Sequence, residues 1–180
     1  MIGVLVSGRG TNLQALLDAG LPVAAVASNR ADAPALARAH AAGVPTAVFP
    51  LEDFPDRDAR DEAMAAWLAG RGVELVVCAG YMHLLRPPFL ERFAGRVVNT
   101  HPAPLPAFPG ARPLEDVLAA GVAETAATVH YVDEGVDTGP VIRAEPVPVR
   151  GDDTVESLRE RVQAVEHRLL PAVVRELIAR

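Results

Sequence analysis

Short unbroken apolar runs alternate along the chain with longer stretches in which apolar residues recur at helical spacing. Ile2 to Val6 is the first run and predicts a buried strand, Ser7-Gly8-Arg9-Gly10-Thr11-Asn12 a turn, and Leu13 to Ala19 a helix. Pro22 to Ala27 predicts a second strand, Pro34 to Ala42 a helix and Thr46 to Phe49 a third strand. Asp56 to Gly70 is an amphipathic helix with Met64 and Trp67 at apolar spacing, and Val73 to Cys78 is a fourth strand ending in Ala79-Gly80-Tyr81-Met82-His83. A short helix near Pro87 to Phe93 leads into Val97 and Val98. Downstream, Pro113 to Ala120 is helical and Thr125 to Val132 alternates as a strand. Val141 to Val149 is strand-like, but Pro146 and Pro148 confine it to an edge or a bend. A final helix is expected over Thr154 to Ile178, with Asp153 as its N-cap and a kink at Pro171. The alternation of strand and helix through the N-terminal half predicts an α/β fold with a parallel, doubly wound sheet.

The stretch with the most chemistry is Val97 to Arg112. Two β-branched residues suit a buried strand, and Pro102 cannot continue a central one, so the strand ends at His101. Asn99 and His101 share a face because strand side chains repeat every two residues. Four prolines and a glycine follow, which fix the loop at little cost in ordering entropy. An amide and an imidazole at the carboxyl end of a strand stand where open α/β sheets bind ligands. A histidine at a strand end is also common as a purely structural residue.

Composition narrows the class. At 180 residues, half of them apolar and 22% charged, the chain is long enough for one domain with a full core. No apolar stretch approaches membrane-spanning length and no basic leader precedes the first strand, so neither a transmembrane span nor a signal peptide is expected, and the cytoplasm is the expected compartment. Cys78 is the single cysteine, which removes disulfides and cysteine metal sites. The formal charge is −6 and the basic residues are scattered, against nucleic acid as a partner. All 17 basic residues are arginine, so a Schiff-base lysine, a pyridoxal enzyme and a P-loop are excluded.

Two further stretches could bind or react. The Ser7 to Asn12 turn places two glycines at a helix N-terminus, where free N–H groups and the dipole attract a phosphate. The dinucleotide fingerprint is incomplete, since Leu13 stands at the third glycine position and Ser28-Asn29 where the ribose-binding acid should be; NAD is not expected. Such a turn also occurs with no ligand. The turn from Asp133 to Pro140 carries three carboxylates, but Thr138 and Ala144 break the calcium-loop pattern. It is either a solvated turn or the means by which Asp137 approaches His101, raises its pKa and orients it for acid–base work. His130 lies one strand earlier, without the spacing of a zinc site, so no metal is expected.

Asn99-Thr100-His101-Pro102 with Leu105-Pro106 resembles the formyltransferase motif Asn-x-His-Pro-x-x-Leu-Pro, and Thr128 to Ile142 resembles its second signature. Ser7 to Gln14 and Ala79-Gly80-Tyr81-Met82 are similar to the glycinamide ribonucleotide (GAR) transformylase branch of these folate-dependent enzymes. The likeness runs through essentially the whole chain, in order. It implies a Rossmann-like, mostly parallel sheet of about seven strands with an antiparallel strand near the C-terminal edge. It further implies a single catalytic domain, binding the ribonucleotide phosphate in its N-terminal half and folate in its C-terminal half. The activity implied is formyl transfer from 10-formyltetrahydrofolate, as co-substrate, to the amine of 5'-phosphoribosylglycinamide in purine biosynthesis.

On that resemblance Gly10, Thr11, Asn12 and Leu13 hold the phosphate, and Gln163 and Glu166 meet the ribose hydroxyls. Arg57 faces the glutamate tail of the folate. Met82, His83, Leu84 and Leu85, with Asn99, Asp133, Glu134, Gly135, Val136 and Asp137, enclose the pterin. Asn99, His101 and Asp137 are the catalytic set: Asn99 and protonated His101 donate to the developing oxyanion, and Asp137 keeps His101 protonated and helps deprotonate the amine through water. The partners expected are small molecules alone, with neither nucleic acid nor membrane, for a monomer or a homodimer. The chain departs from many relatives at Arg112, where a histidine is usual, at Pro104 in place of a leucine, and at His83, where some carry arginine. A formyltetrahydrofolate hydrolase would share the catalytic set but usually carries an extra N-terminal domain. A methionyl-tRNA formyltransferase would need a C-terminal nucleic-acid-binding domain, and a silent folate- or nucleotide-binding module would bind without turnover.

Overall fold

A computed structural model describes all 180 residues. The chain forms two compact units, Met1–Val98 and Asn99–Arg180. The first holds β1 (Ile2–Val6), α1 (Thr11–Asp18), β2 (Val23–Ser28), α2 (Ala35–Ala41), β3 (Thr46–Val48), α3 (Arg57–Ala69), β4 (Leu75–Cys78) and α4 (Pro87–Arg92). The chain passes into the second unit within β5 (Val97–His101), followed by α5 (Pro113–Ala120), β6 (Glu124–Tyr131), β7 (Val141–Pro148) and α6 (Val155–Ile178). The strands form a seven-stranded sheet in the order β3-β2-β1-β4-β5-β6-β7. No helix is long and apolar enough to cross a membrane.

In the first unit β1 pairs in parallel with both β2 and β4, and β2 with β3. Every residue of β1 and of β4 is buried, the near-continuous apolar pattern of a sheet covered on both faces. Gly3 has no side chain because Val73 occupies the space: a Cβ there would lie 2.9 Å from Val73 Cγ1. The apolar pattern opens β4 at Val73, yet the N–H of that residue still bonds Leu68 O at the end of α3, so the strand begins at Leu75. The Asp56 side chain caps α3 by accepting from Ala59 N–H at 2.8 Å, and Met64, Ala65 and Leu68 turn into the core. A single 3₁₀ turn at Leu51–Asp53 has no counterpart in the sequence pattern.

In the second unit β6 and β7 are antiparallel, with β7 as the edge strand that its prolines demand. The register slips between Val129 and His130, where Val129 pairs with Arg143 and His130 with Val141. Bulges of this kind re-aim a side chain. Helix α6 packs against β6, β7 and α5 through Leu158, Val162, Leu169, Leu170 and Val173. Its N-cap is Thr154, not Asp153: Thr154 Oγ1 accepts from Ser157 N–H while Ser157 Oγ accepts from Thr154 N–H. Asp153 instead accepts from the Arg150 backbone and pairs with Arg161 at 2.8 Å, and these donors hold its carboxyl below the usual range. The helix continues through Pro171 to Ile178.

Candidate functional site

Within the second unit, β5 delivers Asn99 and His101 to one place two residues apart. His101 is buried and donates Nε2–H to Phe108 O at 2.8 Å, an acceptor presented by a residue with φ of 55°. The other nitrogen, Nδ1, lies 3.5 Å from Asp137 Oδ2. That distance is too long for a committed hydrogen bond, so Nδ1 stays available to a third group. Asp137 itself has φ of 54°, a left-handed conformation that asparagine and aspartate tolerate better than other residues. Its Oδ2 accepts from Gly110 N–H at 2.9 Å, which fixes the carboxylate against the loop beyond His101.

A fourth residue joins this set. His130 Nδ1 lies 2.8 Å from Tyr131 O and must donate there; in the neutral ring Nε2 is then an acceptor. Asn99 Nδ2 stands 3.3 Å from that Nε2, so the amide turns its NH2 towards His130 and keeps a second N–H free. Burial pushes the pKa of His130 down, which keeps the ring neutral and able to accept. Asp137 Oδ1 lies 3.6 Å from the same Nε2. The sequence raises His130 only as a zinc ligand; its position in the strand pattern does not show that it meets Asn99. No group of three or more His, Cys, Asp or Glu side chains is arranged to hold a metal ion.

The remaining predicted residues of this unit divide between loop and helix. Asp133 Oδ1 accepts from Gly135 N–H at 3.0 Å and from Thr138 Oγ1 at 2.6 Å, so this carboxylate holds the turn together. Glu134, Gly135 and Val136 are exposed on the turn, whereas Asp137 is tucked towards His101. On α6, Gln163 and Glu166 are three residues apart on one face. Glu166 is 5% exposed and accepts from Thr100 Oγ1 at 3.4 Å, a contact with β5 that the sequence does not suggest. Arg112 is exposed at the start of α5.

In the first unit, Gly10 stands at the N-cap of α1 with φ of 75°, and its carbonyl accepts from Gln14 N–H. The helix therefore begins at Thr11, two residues before the expected start. A Cβ on Gly10 would come within 2.5 Å of Ala35 Cβ, so only glycine lets α2 pack so closely behind the turn. Arg38 of α2 donates Nε–H to Arg9 O at 2.8 Å, bracing the turn from behind. Thr11 and Asn12 are partly exposed; Leu13 points into the core, leaving only its backbone N–H to face an anion. Arg57 is exposed on the first turn of α3. Met82 and Leu84 are exposed at 68% and 46%, unusual for side chains of this size, while Leu85 is buried. The His83 side chain faces inward to Arg60 and Asn29.

A family model described as formyl transferase matches residues 1–174. The chain is 49% identical over 179 residues to a phosphoribosylglycinamide formyltransferase of Mycobacterium tuberculosis, covering 97% of this chain and 83% of that one. It is 42% identical over 184 residues to the trifunctional purine biosynthetic protein adenosine-3 of Gallus gallus, covering 99% of this chain and 18% of that longer protein. Among solved structures it matches glycinamide ribonucleotide transformylase 1 from Symbiobacterium toebii with a TM-score of 0.95 and 48% identity, over 97% of this chain and 85% of that one.

Proposed function

The chain belongs to the formyl transferase family, and from that premise we infer that it transfers a formyl group from 10-formyltetrahydrofolate to the amine of 5'-phosphoribosylglycinamide in purine biosynthesis. The observation that carries the mechanism is the convergence of Asn99, His101 and Asp137 around the end of β5, with His130 behind Asn99. The neutral amine attacks the formyl carbon, charge gathers on the formyl oxygen, and the folate nitrogen leaves with a proton. Asn99 offers its free N–H to that oxygen. One preorganised donor of this kind is worth about 3 kcal/mol of barrier. His101 exchanges its proton at Nδ1, because Nε2–H is held by Phe108 O. Asp137 orients that nitrogen and receives, through the exchange, the proton lost by the amine. No covalent enzyme intermediate is required.

For the first unit we assign the ribonucleotide phosphate to the N–H groups of Gly10, Thr11, Asn12 and Leu13, and the folate to Arg57 and the stretch from Met82 to Leu85. The exposed Met82 and Leu84 suit an aromatic ring system that covers them. For the second unit we assign the ribose to Gln163 and Glu166 and further folate contacts to Asn99 and the turn from Asp133 to Asp137. The chain then acts as one catalytic domain, in the cytoplasm, as a monomer or homodimer, on small molecules without metal, nucleic acid or membrane. The test is acceptor dependence. Loss of 10-formyltetrahydrofolate only when the ribonucleotide is present, with formylated product, is expected. Loss without any acceptor would mean a hydrolase, and binding without loss a silent module.

A further inference from the structure

The structure holds a completely buried pair of charged residues, Arg60 and Asp61, that the site above does not use. Arg60, on α3, is 0% exposed. Its Nε–H donates to Asp61 Oδ1 at 2.7 Å, also fully buried, and Nη1 lies 2.7 Å from His83 Nδ1. Nη2 is buried with no hydrogen-bond partner. A buried ion pair with an unmet donor is a poor source of stability, because desolvation offsets the Coulomb gain. What the group does provide is direction. Both carboxylate oxygens of Asp61 are used, Oδ2 accepting from Arg86 N–H at 2.7 Å, so the pair grips the stretch between β4 and α4 at His83 and at Arg86. From the other side, Ser7 Oγ accepts from Met82 N–H at 2.9 Å, and the Asn29 amide bridges Ser7 Oγ at 2.6 Å and His83 Nε2 at 3.4 Å.

We propose that Arg60 is a positioning residue for folate: through His83 and Asp61 it fixes the segment from Tyr81 to Arg86 so that Met82 and Leu84 project outward. An arginine only donates, so the 2.7 Å contact requires a lone pair on His83 Nδ1 and puts the single ring proton on Nε2. In the structure Asn29 Oδ1 accepts from Ser7 Oγ–H at 2.6 Å and Asn29 Nδ2 faces Nε2 at 3.4 Å; with the ring proton on Nε2 the amide must turn over, its oxygen to that proton and its N–H to Ser7 Oγ. The donor and acceptor roles behind the outward pair therefore all follow from Arg60. The inference rests on the assignment of Met82 to Leu85 to folate; being fully buried, Arg60 acts without touching the ligand.

Three variants and one spectrum test it. Arg60→Met removes the donors and keeps the length of the side chain. Arg60→Met with Asp61→Asn also removes the stranded carboxylate, so it separates loss of positioning from loss of charge balance. Arg60→Lys keeps the charge but cannot reach Asp61 and His83 in the same geometry. All three are expected to raise the KM for 10-formyltetrahydrofolate about tenfold, the effect of losing one charge-assisted hydrogen bond, with kcat and the ribonucleotide KM nearly unchanged. Recovery of the wild-type folate KM in the double variant would overturn the proposal, as would an equal rise in both KM values. The spectrum is the nitrogen resonance of His83 in the wild-type protein without substrates. An unprotonated Nδ1 that becomes mixed in Arg60→Met is expected, and a proton found on Nδ1 overturns the network. That readout holds whether or not the protein transfers formyl groups, so a wrong activity and a wrong network give different results.

Discussion

Asn99 and His130 form a pair with a fixed direction: the amide NH2 points at Nε2 from 3.3 Å, because the other ring nitrogen is already committed to Tyr131 O. The amide cannot flip without bringing its oxygen against a lone pair. His130 thus decides which atom Asn99 shows to a substrate, and it stands where the β6–β7 register shifts, with Ile142 the extra residue on β7. Replacing His130 with Phe keeps a ring and removes the acceptor. The kcat is expected to fall about tenfold while both KM values move little, since a buried hydrogen bond of this kind is worth about 1 kcal/mol or slightly more. His130→Gln, whose side-chain oxygen can accept near the Nε2 position, should recover part of the loss. Equal rates for the Phe variant and the wild type would show that Asn99 needs no orienting partner.

Asn99 and His101 should each be needed for turnover. Asn99→Ala removes the donor to the developing oxyanion, and a drop in kcat of about a hundredfold to a thousandfold is expected. His101→Ala removes the proton exchanged at Nδ1 and should cost at least as much. Folate binding, measured directly by fluorescence quenching, should change far less in both. Near-normal turnover in either variant would remove that residue from the mechanism.

The catalytic strand is legible in the sequence because Pro102 terminates it, and the period of two puts Asn99 and His101 on one face. The edge position of β7 follows from Pro146 and Pro148 in the same way. The role of His130 is not legible, since its contact with Asn99 is a relation between β5 and β6 that leaves no mark on either strand alone. Arg60 is hidden for a related reason: within Arg57 to Ala69 it looks like one more charge on an amphipathic helix, and only packing shows it buried. The cap of α6 lies one residue beyond the expected one because Asp153 and Thr154 are both good caps, and Arg161 claims the first. Where one backbone rule acts alone, sequence suffices; where two segments compete for a donor or a space, the fold decides.

Gly10 carries two demands at once, a left-handed φ of 75° and room for Ala35 behind it. Gly10→Ala meets neither. The Cβ would fall 2.8 Å from the backbone Cα of Ala35, so α2 or the turn must shift. A loss of about 2 kcal/mol or more in unfolding free energy is expected, from the combined backbone and overpacking terms. The ribonucleotide KM should rise in protein that still folds, while the folate KM should not. A variant of wild-type stability would mean that α2 yields more easily than the packing implies.

Asp137 separates conformation from charge. Asn tolerates φ of 54° and can still accept from Gly110 N–H, so Asp137→Asn should keep the stability of the wild type. It loses the carboxylate beside His101 Nδ1, and kcat should fall by orders of magnitude. Asp137→Ala loses the side chain and must hold a β-carbon without polar support in the left-handed region. It should be inactive and also less stable, by about 1 to 3 kcal/mol. Melting temperature and kcat measured on both variants check this. If Asn were as destabilising as Ala, the turn would depend on the charge rather than the conformation.

Acid should destabilise the fold through two histidines. His130 and His83 both have pKa values below the ordinary 6.5, each first because burial disfavours the cation; at His83 the Arg60 and Arg57 guanidiniums add to it. Each ring accepts a hydrogen bond in its neutral form, from Asn99 at His130 and from Arg60 at His83, and protonation of that nitrogen destroys the contact. The unfolded chain binds these protons more readily than the folded one, so stability rises with pH where the two differ. The contribution is complete above the unfolded value of about 6.5 and is lost as pH falls below it, through the lower folded values. Urea midpoints measured from about pH 7.5 down to about pH 5 should therefore decline in the wild type. In His130→Gln the decline should be shallower, because one of the two proton-linked sites is gone. Asp153 contributes in the same direction only at much lower pH, since its carboxyl is held below the usual range by Arg161 and the Arg150 backbone. A midpoint that stays level between about pH 7.5 and pH 5 would mean that the folded protein takes up these protons as readily as the unfolded chain, so that neither contact holds its ring neutral.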